Sequence, residues 1–206
     1  MGTSVPIFFE VNSMNILITP NYINEQEILS DDWNRLLNNC NITIQKYKEF
    51  SENIVHDHDV LLLTGGNDII GYERKNNASL LRDCIERKLI DLFIQENKPI
   101  IGICRGAHLL NLHFNGSLKS TDNHDGRFHQ IKNNDNQRNM ILSYHRWSID
   151  KLGDNLSATW LSSSDDTIES FEHSILPIYG ILWHPERLKW GFIPEKIKEL
   201  LCLQIY

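Results

Sequence analysis

Short apolar runs alternate along the chain with longer segments in which apolar side chains recur at helical spacing. The runs of strand length occupy residues 14–19, 59–64 and 99–104. The helical spacing predicts amphipathic helices over residues 26–39, 79–96, 106–114 and 193–203. Apolar strands alternating with amphipathic helices are typical of a parallel sheet that helices cover on both faces. The pattern therefore predicts an α/β fold with a mostly parallel sheet.

The second half of the chain has shorter apolar runs among polar residues. Residues 115–139 are rich in Asn, Asp and His, and we expect loops or short strands there. Further strands are predicted near residues 140–142, 159–161, 168–171 and 178–183. No internal repeat or interdomain linker interrupts the pattern, so we expect one domain over residues 14–206. Residues 1–13 then form an N-terminal extension.

Composition narrows the class of protein. The 206 residues are 41% hydrophobic and 23% charged, which is typical of a globular protein. The net charge of −7 argues against a nucleic-acid-binding or membrane-surface protein. No apolar run reaches the roughly 18 residues of a membrane span, and the first residues lack the basic start of a signal peptide. We therefore expect a cytoplasmic protein without a nucleic-acid or membrane partner.

The four cysteines are widely spaced and form no Cys-x-x-Cys pair, which favours free thiols over a zinc site or a disulfide framework. Cys104 differs from the others because it lies in Gly102-Ile103-Cys104-Arg105-Gly106, at a predicted strand-to-helix junction. This G-x-C-x-G pattern is the cysteine form of a nucleophile elbow, in which the helix N-terminus favours the thiolate. A buried core cysteine flanked by glycines has the same pattern.

Two backbone amides are candidates to stabilise the negative charge that develops when a thiolate attacks a carbonyl. One belongs to Arg105, directly after the elbow cysteine. The other belongs to Gly66, in the Gly65-Gly66 turn that ends the strand over residues 59–64. Both lie at the carboxyl ends of predicted parallel strands, where ligands of open α/β sheets bind. By itself, a Gly-Gly pair after a strand indicates only a turn.

A thiol nucleophile needs a base, and the segment Gly180-Ile-Leu-Trp-His184-Pro185-Glu186 offers one. Glu186 follows His184 by two residues, so extended backbone would place both side chains on the same side. The carboxylate would then fix the tautomer of the imidazole. We predict Cys104, His184 and Glu186 as a catalytic triad, although a lone histidine among the nine of this chain is more often a core or surface residue.

Taken together, these motifs resemble the class I glutamine amidotransferase superfamily, in the segments LLLTGGND, KPIIGICRGAHLLN and YGILWHPE. The resemblance is closer to its γ-glutamyl hydrolase branch, which includes γ-glutamyl-γ-aminobutyrate hydrolase. It implies a flavodoxin-like fold and cysteine-dependent cleavage of a γ-glutamyl amide bond without a cofactor. Weaker matches are Arg82-Asp83 with Glu86, the Ser143-Tyr144-His145 segment, and the strand from Asp166 to Glu172.

The same resemblance implies which residues bind the substrate. They are Gly65, His108, Ser143, Tyr144, His145 and Arg146. Two depart from the family's pattern, because the family commonly has Gln in place of His108 and often a second His in place of Arg146. Arg146 is either a contact for a phosphate-bearing leaving group or an exposed surface residue. His124 and His129 belong either to the pocket or to a solvated loop, and their spacing suggests no metal site.

Three functions are compatible with these motifs. The first is a stand-alone hydrolase that releases glutamate from a γ-glutamylated small molecule. Similarity of the DDWNRLL segment to amidotransferase-like proteins of bacterial surface-polysaccharide clusters favours γ-glutamyl-CDP-amidate as the substrate, with other γ-glutamyl amines as the alternative. The second is a glutaminase subunit that delivers ammonia to a separate synthase, although the Gly-His-Gln run of such subunits is absent. The third is a non-enzymatic relative of the fold, which the intact His-Pro-Glu segment disfavours.

Overall fold

A computed structural model describes residues 13–189 and 191–203. Its strands are β1 (Asn15–Thr19), β2 (Asn21–Ile23), β3 (Gln26–Ile28), β4 (Asn41–Ile44), β5 (Val60–Leu63), β6 (Ile100–Ile103), β7 (Ser117–Ser120), β8 (Asp125–Lys132), β9 (Arg138–Tyr144), β10 (Trp147–Lys151), β11 (Leu156–Ser162), β12 (Ile168–His173) and β13 (Ile178–Ile181). Its helices are α1 (Asp32–Leu36), α2 (Leu80–Gln95), α3 (Arg105–His113) and α4 (Glu195–Leu200).

The main sheet of the described residues has nine strands in the order β4-β1-β5-β6-β13-β12-β11-β8-β9. The first five run parallel to one another. The last four extend the sheet through antiparallel pairs, which is how the polar second half of the chain adds strands without crossover helices. The predicted α/β fold built on a parallel sheet is confirmed.

Helices cover both faces of this sheet, as the alternating pattern predicted. α2 and α3 bury their apolar sides in one core, while α1 and α4 bury theirs in the other. Successive side chains of β5 point to opposite faces of the sheet, so Leu61 packs in the first core and Leu62 in the second. No helix in residues 13–189 or 191–203 is long and apolar enough to cross a membrane.

The helix predicted over residues 26–39 is wrong in its first half. Gln26–Ile28 form a strand that pairs with Asn21–Ile23, and only Asp32–Leu36 are helical. Asn24 and Glu25 join the two strands with φ angles of 51° and 62°. Two successive residues with positive φ are typical of the tight turn of a two-residue hairpin, in which Asn is a favoured residue. The hairpin therefore determines the structure of residues 26–28, although Ile28 and the apolar residues after it have helical spacing.

Other boundaries also differ from the prediction. Within residues 115–139, the eight-residue strand β8 is longer than the loops or short strands expected. The last helix is Glu195–Leu200 and begins after Pro194, so it is shorter than the predicted 193–203. The predicted N-terminal extension lies outside the described residues except for Ser13.

The order of the central strands explains why distant motifs meet. β6 lies between β5 and β13, and all three strands run in the same direction. Gly65-Gly66 follow β5, Cys104 follows β6 and His184 follows β13. Three motifs separated by up to 119 positions in sequence therefore converge at one edge of the sheet (His184 minus Gly65).

Candidate active site

Cys104 occupies the sharp turn between β6 and α3. Its backbone has φ 51° and ψ −104°, which costs an L-residue about 1–3 kcal/mol. The turn is held on both sides, because the Cys104 amide donates to the Ile181 carbonyl at 2.8 Å and its carbonyl accepts from the His108 amide at 3.0 Å. Gly106 allows the helix to approach β5, since a Cβ there would lie 2.2 Å from the Leu63 carbonyl oxygen. The backbone thus has the geometry of the predicted elbow.

His184 stands against Gly65 and Cys104. A Cβ added to Gly65 would lie 2.7 Å from His184 Cε1 and 3.5 Å from Cys104 Cβ. His184 Nδ1 lies 2.6 Å from Glu186 Oε1, and both side chains are buried. Pro185–Arg187 form a 3-10 turn, so the sequence prediction of an extended segment is wrong. The turn, and not the alternation of a strand, brings the carboxylate back to the imidazole.

Charges around His184 favour its protonated form. Burial lowers the pKa of His184, but the charge of Cys104 and the hydrogen bonds to Cys104 and Glu186 outweigh it and raise the pKa from 6.5 to about 9. An imidazolium beside a sulfur is the acid that a departing amine requires. Arg35 of α1 donates to the backbone carbonyl of Glu186, so α1 fixes the turn that carries the carboxylate.

The two amides predicted to bind an oxyanion belong to the turns after β5 and β6. Arg105 is the first residue of α3, where backbone N–H groups have no partner within the helix. Gly66 lines the same groove as Cys104 and Arg105. The buried Arg82 of α2 holds the turn after β5 by donating to the carbonyl oxygens of Thr64 at 3.0 Å and Gly65 at 3.2 Å. This turn is therefore supported from beneath.

An ion-pair network behind the site joins these two turns. Glu86 accepts from Arg82 Nε at 2.9 Å and from Arg105, whose guanidinium also pairs with Asp83. Burial raises the pKa of Glu86, but the charges of Arg105 and Arg82 outweigh it and lower the pKa below its ordinary value. Arg82, Asp83 and Glu86, which the sequence motifs indicated, therefore support the two turns of the site. Their ion-pair partner Arg105 could not be identified from the sequence alone.

Cys104 opens onto a surface groove. The predicted substrate residues that line this groove are His108, Tyr144, His145 and Arg146. Ser143 does not line it, because its side chain is fully buried and its hydroxyl lies 3.0 Å from His129 Nε2. Gly65 borders a neighbouring cleft, which His184 also lines. Four of the six predicted substrate residues therefore line the groove, Gly65 borders the neighbouring cleft, and Ser143 lies in the interior.

The two groove residues that depart from the family's pattern have different environments. Burial and the charge of His145 lower the pKa of His108 to about 3, so its imidazole is neutral. His108 Nε2 is buried and has no hydrogen-bond partner within the described ranges. Arg146 donates through Nε to Asp125 at 2.6 Å, so its charge is already partly paired.

The loop between β5 and α2 supplies a basic rim that the sequence motifs did not indicate. Arg74 and Lys75 line the groove together with Tyr72 and Trp147. The Arg74 guanidinium lies 5.3 Å from the centre of the Trp147 ring and pairs with Asp122 at 2.9 Å. The sequence signal for this rim is the basic pair Arg74-Lys75, in the segment after Gly65-Gly66. Loops at this edge of a sheet often contact ligands, so a basic pair there is a candidate for anion binding.

His124 is buried and His129 is half-buried on β8, so neither lies in a solvated loop. His124 Nδ1 lies 2.8 Å from Glu169 Oε1, and His145 Nε2 lies 3.4 Å from Glu169 Oε2. Burial raises the pKa of Glu169, but the two histidines outweigh it and lower the pKa to about 2. The sequence suggested no metal site, yet the fold brings His124, His145 and Glu169 close enough to ligate one ion.

The chain is similar to one known protein family and to several known proteins. The family model described as Peptidase C26 matches residues 38–140 and 121–186. The chain is 32% identical over 180 residues to the gamma-glutamyl-CDP-amidate hydrolase of Campylobacter jejuni, which covers 85% of this chain and 88% of that protein. It is 29% identical over 150 residues to the carbamoyl phosphate synthase small chain of Clostridium perfringens, which covers 71% of this chain but 40% of that protein.

A solved structure extends the likeness to the fold. A candidate GMP synthase subunit from Thermoplasma acidophilum matches with a TM-score of 0.72 over 92% of each chain, at 20% identity. This likeness concerns the fold alone. The family model and the relative from C. jejuni together show that the chain belongs to the Peptidase C26 family of class I glutamine amidotransferase-like hydrolases.

Proposed function

We propose that this protein hydrolyses a γ-glutamyl amide bond, with Cys104 as nucleophile, His184 as acid and base, and Glu186 as the group that orients His184. One observation carries the proposal: a cysteine in a strained elbow stands beside a histidine whose Nδ1 is held 2.6 Å from a buried carboxylate. Acyl transfer through a thioester requires a nucleophile, a base beside it and a group that orients the base. Cys104, His184 and Glu186 are in contact in this order.

The first half of the reaction forms the thioester. The Cys104 thiolate attacks the δ-carbonyl carbon, and the carbonyl oxygen becomes an oxyanion that accepts hydrogen bonds from the Gly66 and Arg105 amides. His184 gives its Nε2 proton to the amide nitrogen as the carbon–nitrogen bond breaks. The amine leaves, and the γ-glutamyl group stays on sulfur. Glu186 stabilises the imidazolium before the proton moves.

The second half releases glutamate. The now neutral His184 takes a proton from water, and the hydroxide attacks the thioester carbonyl. The carbon–sulfur bond breaks, glutamate leaves, and Cys104 returns as a thiolate beside protonated His184. Both halves use only groups of this chain and water, so the proposed reaction requires no cofactor.

For the leaving group, we propose a nucleotide-linked phosphoramidate, with γ-glutamyl-CDP-amidate as the substrate. The name of the relative from C. jejuni supports this choice. The groove supports it independently, because Arg74, Lys75 and Arg146 supply positive charge and Tyr72 and Trp147 supply aromatic faces. Phosphate oxygens pair with guanidinium and ammonium groups, and a base stacks on aromatic rings. Such a reaction would serve surface-polysaccharide biosynthesis in the cytoplasm.

An ammonia-donating glutaminase subunit is the second candidate function. The match to the carbamoyl phosphate synthase small chain favours it, although that match covers less than half of the relative. In that case glutamine would be the substrate and a separate synthase the partner. If the isolated chain hydrolyses γ-glutamyl amides and accepts glutamine poorly, it needs no synthase partner, and this second function is excluded.

The deciding experiment measures glutamate release by the purified chain alone. The panel contains γ-glutamyl-CDP-amidate, γ-glutamyl-γ-aminobutyrate and glutamine, each with parent protein and with Cys104→Ala. We expect the highest kcat/KM on the nucleotide and none with the variant. Equal rates on nucleotide and aminobutyrate amides would reduce the proposal to a general γ-glutamyl hydrolase. Glutaminase activity that appears only when a synthase is added would favour the second candidate.

A further inference from the structure

A buried group of two histidines and one glutamate lies directly behind the groove. His124 precedes β8, His145 follows β9 and Glu169 belongs to β12, so three separate parts of the sheet converge on it. The side chains of His124, His145 and Glu169 are at most 2% exposed. One nitrogen of each histidine and a carboxylate oxygen lie within 4.8 Å of one another. None of the three takes part in the proposed hydrolysis.

The outer nitrogens of both histidines are held by acceptors. His145 Nδ1 lies 2.9 Å from the Trp147 carbonyl oxygen, which can only accept, so this nitrogen carries the proton. His124 Nε2 lies 3.0 Å from Asp165 Oδ2, which assigns its proton in the same way. In the neutral tautomers, His145 Nε2 and His124 Nδ1 therefore carry lone pairs, and both face the carboxylate of Glu169.

Lone pairs that face a carboxylate repel it unless a proton or a metal ion lies between them. Burial lowers the pKa of His124, but Glu169 and Asp165 outweigh it and raise the pKa, so this position favours positive charge. His124 Nδ1 and Glu169 Oε1 are only 2.8 Å apart, yet both lack a hydrogen bond of acceptable geometry among the described residues. Histidines that ligate a metal almost always donate their other N–H to a carboxylate or a backbone carbonyl. Asp165 and the carbonyl of Trp147 are the two acceptors that this arrangement requires.

We infer that His124 Nδ1, His145 Nε2 and a Glu169 oxygen bind a divalent cation of the zinc type. Two imidazoles and one carboxylate suit zinc, and three protein ligands leave a fourth position open. Bonds of about 2.0 Å imply ligand atoms about 3.3 Å apart in a tetrahedral site, close to the 3.4 Å between His145 Nε2 and Glu169 Oε2. Because His145 also lines the groove, the ion would lie beneath the groove wall and brace it.

Metal binding is measured directly, so the test does not depend on the proposed hydrolysis. The chain is stripped with a chelator and titrated with Zn²⁺ by calorimetry and with Co²⁺ by visible absorption, which reports tetrahedral coordination. The variants are His124→Gln and Glu169→Gln, and the matched control is His56→Gln, an exposed histidine outside the cluster. Circular dichroism and thermal unfolding check that each variant folds.

We expect the parent and His56→Gln to bind one equivalent, and each cluster variant to bind about 100-fold more weakly or not at all. Zn²⁺ should also raise the Tm of the parent and leave the Tm of His124→Gln unchanged. The inference is overturned if the parent binds neither metal, or if both cluster variants keep the affinity of the parent. If Glu169→Gln fails to fold, the test rests on the metal affinities of the parent and of His124→Gln. His124 lies outside the strands, so its substitution should disturb the fold less.

Discussion

At Cys104, the residue proposed as nucleophile also bears the strain of the elbow. Its φ of 51° with ψ −104° suits glycine better than any residue with a Cβ. We predict that Cys104→Gly and Cys104→Ala both abolish hydrolysis, while Cys104→Gly is the more stable of the two by about 1 kcal/mol. Urea unfolding of both variants measures this difference, and glutamate release measures the activity.

Cys84→Ala is the matched control for the loss of activity. Cys84 is an exposed free thiol on α2, away from His184, so its removal should leave turnover unchanged. A Cys104→Ala variant that keeps activity within about tenfold of the parent would exclude Cys104 as the nucleophile.

The charge state of His184 gives a second test at the residue scale. Its folded pKa of about 9 means that the imidazolium persists up to that pH and is lost above it. Glu186→Gln removes one charge that favours protonation, so we expect the pKa of His184 to fall towards 6.5. Titration of ¹³C-labelled histidine by NMR follows this ring in both proteins. A parent His184 that titrates near 6.5 would contradict the ion-paired arrangement.

At the scale of elements, α2 supports both turns that carry the proposed oxyanion donors. Glu86 lies fully buried between Arg82 and Arg105, so Glu86→Gln would leave two buried guanidinium groups without their shared carboxylate. Breaking a buried ion pair in this way costs about 3–5 kcal/mol, and we expect a loss of that order in the free energy of unfolding. Hydrolysis should fall as well, because the turns lose their support.

Glu96→Gln is the control for this substitution. Glu96 is exposed at the C-terminal end of the same helix, and its removal should change stability by less than about 0.5 kcal/mol. Chemical denaturation of both variants gives the comparison. Equal small effects would mean that the network contributes little to the fold.

Local patterns predicted some elements better than others. Val60–Leu63 and Ile100–Ile103 are short apolar runs, the first ending just before Gly65-Gly66 and the second beginning after Pro99. The structure has both as strands within one residue of the prediction. The predicted helix over residues 26–39 is wrong at Gln26–Ile28, because helical spacing says nothing about a tight turn at Asn24 and Glu25. The elbow was predictable because five consecutive residues define it. The 3-10 turn after His184 was not, because the spacing of its residues also fits a strand.

At the scale of the whole molecule, the groove is assembled from loops that no local pattern connects. Tyr72, Arg74 and Lys75 come from one loop, whereas Arg146 and Trp147, the first residue of β10, lie more than 70 positions later (146 minus 75). Likewise, the cluster around Glu169 depends on the antiparallel strands that bring β8, β9 and β12 together. The sequence identified several of these residues singly, but only the sheet order shows that they are neighbours.

Charge is distributed unevenly over this fold, and that distribution gives the last prediction. The chain has a net charge of −7, yet the groove wall carries Arg74, Lys75 and Arg146. Arg74 and Arg146 already pair with Asp122 and Asp125, while Lys75 makes no ion pair within the described part of the chain. We therefore expect Lys75 to contribute more of the free positive charge to a bound diphosphate than Arg146 does.

Lys75→Ala should raise KM for γ-glutamyl-CDP-amidate about tenfold, the equivalent of about 1.4 kcal/mol, and leave kcat nearly unchanged. The reason is that charge pairing with the leaving group stabilises the ground state and the transition state alike. Arg146→Ala should raise KM less, and Lys151→Ala, an exposed residue of β10 outside the groove, should have no effect. Neither groove variant should change KM for γ-glutamyl-γ-aminobutyrate, which has no diphosphate. If Lys75→Ala affects both substrates equally, the basic rim does not bind phosphate and the nucleotide assignment fails, while cleavage of γ-glutamyl amides by Cys104 still stands.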